Sequence, residues 1–288
     1  MRLFDETIKE TLSERLNALE MHFDGDVVFY YGEISPGVTK LFRDFIEKLE
    51  EGGRKKRLIV FLNTPGGSAE TVEKMVEIMR FHYPEVYFVV PDYAMSAGTI
   101  LCMSGDKIFM DYSSSLGPID PQVHNGKEWV PALGYLDKVE QLLAKAKDGS
   151  ITQAEFLIFQ SLDLAMLSRY EQAKDLTVTL LKRWLVQYKF KDWAVHGTSP
   201  ATKGNPVTPD DKQRRAEEIA KDLGDNKMWH SHGRMISAQT LHARLRLKID
   251  DYSGDAKLRE LVRAYNDLMI EYILRSNFTL FMHSRNYF

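Results

Sequence analysis

Residues 94–98, Ala-Met-Ser-Ala-Gly, set one hydroxyl among small and apolar neighbours, just after an apolar run that stops at Pro91. A serine at the tip of a strand-to-helix turn, with the space around it cleared, is placed to act as a nucleophile. A second glycine-containing turn, Asn63-Thr64-Pro65-Gly66-Gly67-Ser68, follows the preceding apolar run. Gly66-Gly67 lets the backbone turn sharply with its N–H groups uncovered. The N–H groups of Gly67 and Ala97 would then form a two-donor hole for an oxyanion, and losing one such donor typically costs on the order of 3 kcal/mol of transition-state stabilisation. Gly66 and Ser68 flank the hole as substrate-binding positions. The competing reading makes both turns plain connections and Ser96 a helix N-cap, worth about 1 kcal/mol.

A serine hydroxyl needs a base. Asp120 follows in "SSLGPIDPQ" but is too strong an acid to serve as one, and His124 sits in a polar loop. Lys127, Lys138, Lys145, Lys147, His230 and His232 are the remaining candidates. A lysine serves only if burial lowers its pKa, and Leu136, Val139 and Leu142 could wall in Lys138 in that way. The His230-Ser231-His232 trio lacks a third ligand for zinc, so no metal site is assigned. "NTPGGS" lacks the Gly-Lys-Ser/Thr of a P-loop, and no motif requires a cofactor.

The elements that must position these groups alternate. Apolar runs at 26–32, 57–63, 85–90 and 107–111 read as strands. Helical periodicity covers 37–53, 68–81 (Val72, Met75, Val76 and Met79 on one stripe) and 96–104. Strands alternating with helices predict an α/β fold with a parallel sheet, and ligands bind at the carboxyl ends of such strands. From Ser150 to His196 no glycine or proline occurs. That stretch is expected to form one very long helix or two with a tight bend, opened by a Thr152–Glu155 capping box. It serves either as a layer over the sheet or as an arm for self-association. Helices at about 209–223 and 255–276 complete the chain.

Composition narrows the class. The 288 residues are 44% hydrophobic and 27% charged with net charge −3, as expected of a globular chain with a sizeable core and not of a nucleic-acid binder. The single cysteine, Cys102, fits a reducing compartment. No signal-peptide pattern opens the chain and no run of about 18 apolar residues could span a bilayer, so the expected location is cytoplasmic.

"NTPGGSAETVEKMVEIMR", "AMSAGTILCMSGDKIFMD" and "SSLGPIDPQ", in this order, resemble the ClpP/crotonase-fold serine peptidases, in the branch of signal peptide peptidase A, the NfeD-type membrane proteases and the serine dehydrogenase proteinases. The likeness covers about 25–140 and returns weakly at "HGRMISAQTL" (232–241). It implies one domain over 1–288, built of repeated ββα units on a parallel sheet, with a core at about 25–140 and a helical extension over about 141–288. It also implies Ser96 as nucleophile, Gly67 and Ala97 as oxyanion hole, and a homo-oligomer acting on peptides or proteins. That branch uses a lysine base, and Lys138, 42 residues beyond Ser96, resembles the lysine placement of the NfeD-type enzymes. The expectation is therefore a serine peptidase working through a Ser96–Lys138 dyad, with room for a membrane-protein partner. The alternatives are an inactive assembly or regulatory subunit and a crotonase-type acyl-CoA enzyme.

Overall fold

The computed structural model describes residues 3–124, 129–197 and 202–288. The chain runs α1 (Leu3–Phe23), β1 (Asp26–Gly32), α2 (Thr39–Glu47), β2 (Arg57–Asn63), α3 (Ala69–His82), β3 (Glu85–Val89), β4 (Tyr93–Ala94), α4 (Ala97–Cys102), β5 (Lys107–Met110) and β6 (Ser115–Leu116). It continues through β7 (Gln122–His124), β8 (Trp129–Pro131), α5 (Ala132–Lys147), α6 (Gln153–Gln160), α7 (Leu164–Trp184), α8 (Pro209–Gly224), α9 (Asn226–Trp229), α10 (Ala238–Leu245), β9 (Asp250–Asp251), α11 (Ala256–Ser276) and β10 (Leu280–His283).

Six strands form the main sheet in the order β10-β1-β2-β3-β5-β9. All neighbours are parallel except β10, which pairs antiparallel with β1. Successive side chains on a strand point to opposite faces, and both faces here are covered. Leu58, Val60 and Leu62 of β2 enter one core with α2, α3 and α4. Ile59 and Phe61 enter the other, with Leu12, Leu16 and Leu19 of α1 and Val262, Tyr265 and Met269 of α11. This explains the unbroken apolar run of β2. Cys102 is buried, and burial raises its thiol pKa.

Above the carboxyl ends of the strands a second, smaller layer of bridges forms. Thr64 bridges Ala94, β4 pairs with β6, and Leu116 bridges Ile236. Strand β3, strand β4 and helix α4 thus make a ββα unit, as expected from the sequence.

Three features add to the sequence expectations. First, of the two forms expected for 150–196 the structure has two helices: α6 and α7 are joined through residues 161–163, and a π-helical turn at Leu185–Lys189 closes α7. The break comes at Asp163, whose carboxylate accepts from Ala165 N and Met166 N and starts a new helix; the Thr152–Glu155 capping box is present. Second, an N-terminal helix covers the second core. Third, β10 closes one edge of the chain's own sheet, with Phe29 opposite His283 and Gly32 opposite Leu280. Arg285 then anchors the end by pairing with Asp26 and Glu20. No helix of the described residues is long and apolar enough to cross a membrane.

Candidate active site

The site begins with the turn after β2. Ile34 N donates to Gly66 O (2.8 Å) and Ser68 N to Ile34 O (2.8 Å), which clamps Gly67 between them. Gly67 has φ +143°, and a Cβ there would stand 2.0 Å from Ile34 O, so only glycine fits. This pairing uses the groups on either side of Gly67 and leaves its own N–H free: among the described residues it donates to no protein acceptor.

The second turn is bonded to the first. Thr64 N donates to Tyr93 O (3.1 Å) and Met95 N to Thr64 O (3.0 Å). A Cβ on Gly98 would lie 2.4 Å from Thr64 Cγ2, and one on Gly66 would lie 2.9 Å from Ser96 Cβ and 3.4 Å from Ala97 N. The small residues therefore let the two turns close on each other. Ser96 sits at φ 49°, ψ −113°, a conformation that L side chains rarely adopt. Holding a non-glycine residue there costs on the order of 1–3 kcal/mol and occurs where the surroundings over-determine it. Its side chain makes no capping hydrogen bond, so the N-cap account of Ser96 does not hold. The hydroxyl is half-buried and unengaged, and Ala97 N, at the first turn of α4, also donates to no protein acceptor.

Thr99 fastens α4 to the next loop. Its hydroxyl lies 2.8 Å from Ala94 O and 2.9 Å from Gly117 O and accepts from Gly117 N (2.9 Å). Three residues on, the Asp120 carboxylate is 2% exposed. Gln122 Nε2 donates to its Oδ2 (2.8 Å), as does the Asn226 amide (3.0 Å), whose oxygen accepts from Gly134 N (3.1 Å). The other oxygen lies 2.8 Å from His232 Nδ1. A carboxylate only accepts, so Nδ1–H donates and a neutral ring keeps its lone pair on Nε2. The antiparallel bridge between Leu116 and Ile236 (N···O 3.0 and 2.8 Å) carries the His232 segment alongside the loop that packs on Ser96. A Cβ on Gly117, in that loop, would stand 3.1 Å from Ser96 N.

The candidate residues fare differently. Gly66, Gly67, Ser96 and Ala97 come together. Ser68 does not present a free hydroxyl: it caps α3 by accepting from Thr71 N (3.0 Å) and donates to Glu70 (2.7 Å). Lys138 stands exposed on α5, one turn beyond Gly134, without a hydrogen bond to Ser96; Leu136, Val139 and Leu142 are buried, but they do not enclose its side chain. Lys145 pairs with Glu155 (2.6 Å) and Lys147 is exposed. Lys127 and the side chain of His124 lie outside what the structure describes. Sequence reasoning missed the partnership of Asp120 with His232. The signal was present in a buried-type acid and a weakly matching "HGR" segment, but 112 residues separate them.

A family model described as ClpP-like SDH-type serine proteinase matches residues 52–214. Among curated proteins, MJ0137 of Methanocaldococcus jannaschii is 28% identical over 159 residues, 50% of this chain and 53% of that protein. MJ1495 of the same organism is 34% identical over 64 residues, 22% of each chain. The match thus spans about half of the first relative's length and less of the second's. Two solved structures of the membrane-bound stomatin-specific protease 1510-N, one with a substrate peptide, are similar at 13% identity. Their TM-scores are 0.47 and 0.44, covering 81% of both chains in one and 80% of this chain and 76% of the other in the second.

Proposed function

We infer that this chain, which belongs to the ClpP-like SDH-type serine proteinases, hydrolyses peptide bonds with Ser96 as nucleophile. The observation that carries the reading is the free Ser96 hydroxyl, held in a strained turn between two backbone N–H groups, of Gly67 and Ala97, that no protein acceptor uses. Such donors, fixed before substrate arrives, stabilise the charge that develops on a carbonyl oxygen under attack.

The base we assign is His232, because Asp120 holds its Nδ1–H and the Leu116–Ile236 bridge runs its segment beside the loop that packs on Ser96. Nε2 makes no hydrogen bond to Ser96 before substrate binds, and the proton transfer below requires that contact to form. Ser96 Oγ attacks the carbonyl carbon while its proton passes to His232 Nε2. The tetrahedral oxyanion sits on Gly67 N–H and Ala97 N–H. Its collapse breaks the C–N bond, and the His232 proton goes to the leaving amine. Water, deprotonated by the same nitrogen, then releases the acyl group from Ser96. Asp120 acts as a positioning residue in this scheme, a different role from the base it is too acidic to be.

Lys138 provides the second reading. It stands one turn from Gly134, whose N–H is tied through Asn226 to Asp120, and as base it would have to move against Ser96. Exposure speaks against it, since a lysine base needs a buried, apolar setting. A fluorophosphonate probe followed by peptide mapping tests the core of the proposal: Ser96 should be labelled, and a natively folded chain that stays unlabelled would make it an inactive assembly subunit. Labelling lost in His232→Ala but kept in Lys138→Ala supports the histidine; the converse supports the dyad.

We also propose self-association through α6. Its sequence Gln-Ala-Glu-Phe-Leu-Ile-Phe-Gln contains four large apolar residues in a row, yet no residue of the helix is buried, and Phe156, Leu157 and Ile158 are exposed. Exposed patches of this kind mark interfaces. Light scattering at micromolar concentration should give at least a dimer; a mass near 33 kDa rules it out.

A further inference from the structure

The parallel strands place Ser96 at their carboxyl ends. At the opposite end, beside the start of β5 and next to β9, lies a cavity of about 620 Å³ that the peptidase reading does not use. That size falls within the roughly 300–1,000 Å³ of small-molecule sites. Residues 246–250 follow α10 past it: Leu247 turns into the core, while Arg246, Lys248 and Asp250 line the cavity. Arg246 is held at φ 44°, a left-handed conformation unusual for a long side chain.

The charges of the cavity divide into spent and unspent. Asp106 is neutralised by Arg80 and Lys191, Asp211 by Arg214, and Glu218 by Arg215. Lys107, Lys189, Arg246 and Lys248 make no ion pair among the described residues. Against these four cations stand Asp192 and Asp250, so the unpaired charge is positive. One oxygen of Asp250 is buried without a hydrogen-bond partner. One wall is aromatic: Trp193 is half-buried, stacked edge-on against Phe190 (5.5 Å) and His196 (5.3 Å), with its indole N–H fixed on Val195 O (3.1 Å). A preset ring beside unpaired cations suits a ligand that is flat at one end and multiply anionic at the other.

We propose that this cavity binds a mononucleotide, its phosphates on Lys189, Arg246 and Lys248 and its base against Trp193. Lys189 supports this from a second side. Burial lowers its ammonium pKa to about 8, Asp250 opposes the shift and Lys248 adds to it. A phosphate bound beside it would favour the ammonium form and offset the cost of its burial. The site uses side-chain cations and no P-loop, which is why "NTPGGS" gave no hint of it.

The test is a titration of the full chain with a fluorescent ATP analogue carrying a methylanthraniloyl group, with unlabelled ATP and inorganic tripolyphosphate as competitors. Saturable binding is expected, weakened at least tenfold in Arg246→Glu/Lys248→Glu and unchanged in Lys174→Glu, whose exposed charge lies on α7. Both residues of the double variant are exposed, so folding is preserved, and circular dichroism checks it. Lys189→Met should weaken binding as well. Absence of saturable binding up to millimolar nucleotide, or binding that survives the charge reversal, overturns the proposal. Tripolyphosphate competing as well as ATP overturns the placement of a base on Trp193.

Discussion

The imidazole of His232 is held 2.8 Å from the buried carboxylate of Asp120. That contact joins the loop beside the nucleophile to a segment 112 residues later, and it defines a tautomer. If the tautomer matters to the chemistry, Asp120→Asn should lower kcat/KM on the order of 10³-fold or more while leaving KM nearly unchanged. The amide can donate to Nδ1 and so turn the lone pair to the wrong nitrogen. A purely structural Asp120 would instead show a lower melting temperature with activity per folded molecule intact.

Ser96→Ala should abolish turnover with little change in melting temperature, because the hydroxyl makes no hydrogen bond within the fold. Ser96→Gly should be equally inactive but more stable than Ser96→Ala by about 1 kcal/mol, since glycine relieves the φ of 49°. Differential scanning calorimetry of the three proteins orders them. Equal stability of the alanine and glycine variants would mean that the turn carries no strain.

Much of this site was legible in the sequence because its parts are local. "NTPGGS" and "AMSAG" each fold into a turn within six residues, and the strands that carry them announce themselves as apolar runs buried on both faces. What stayed hidden depends on pairings between distant parts of the chain. The edge strand β10 is four residues long and meets β1 some 250 positions away, so no local pattern marks it as part of the sheet. The Asp120–His232 contact is invisible for the same reason. Lys138 drew attention through apolar neighbours that are buried while its own side chain stays exposed, a distinction that composition around a residue does not make.

The clamp on the glycine turn predicts steric sensitivity. Gly66→Ala would place a Cβ 2.9 Å from Ser96 Cβ and 3.0 Å from Met95 O, at a φ of +115°. We expect a loss of stability above about 1 kcal/mol together with loss of activity, because the nucleophile must move. Gly37→Ala is the control: nothing lies within 4 Å of its added Cβ and its φ is not positive, so denaturant midpoints should stay near the native value. A Gly66→Ala protein of native stability and activity would show that the two turns are not in register as described.

The buried C-terminal edge carries its own pH signature. His283 is 1% exposed and its Nδ1 lies 2.7 Å from Tyr265 Oη, so the hydroxyl donates to a neutral ring. Burial, helped by the Lys9 charge, lowers its pKa to about 4. In the unfolded chain a histidine titrates near 6.5. Between those values the unfolded state binds a proton that the native state refuses, so stability rises with pH across this window and falls as pH drops from about 6.5 toward 4. A shift of this size corresponds to at most about 3 kcal/mol. His283→Gln keeps an acceptor for Tyr265 and removes the titration. Urea unfolding at pH 4.5 and 7 should therefore show a smaller stability difference in the variant than in the native chain. Identical differences would mean that His283 is already protonated in the fold and that β10 does not seal the sheet edge from water.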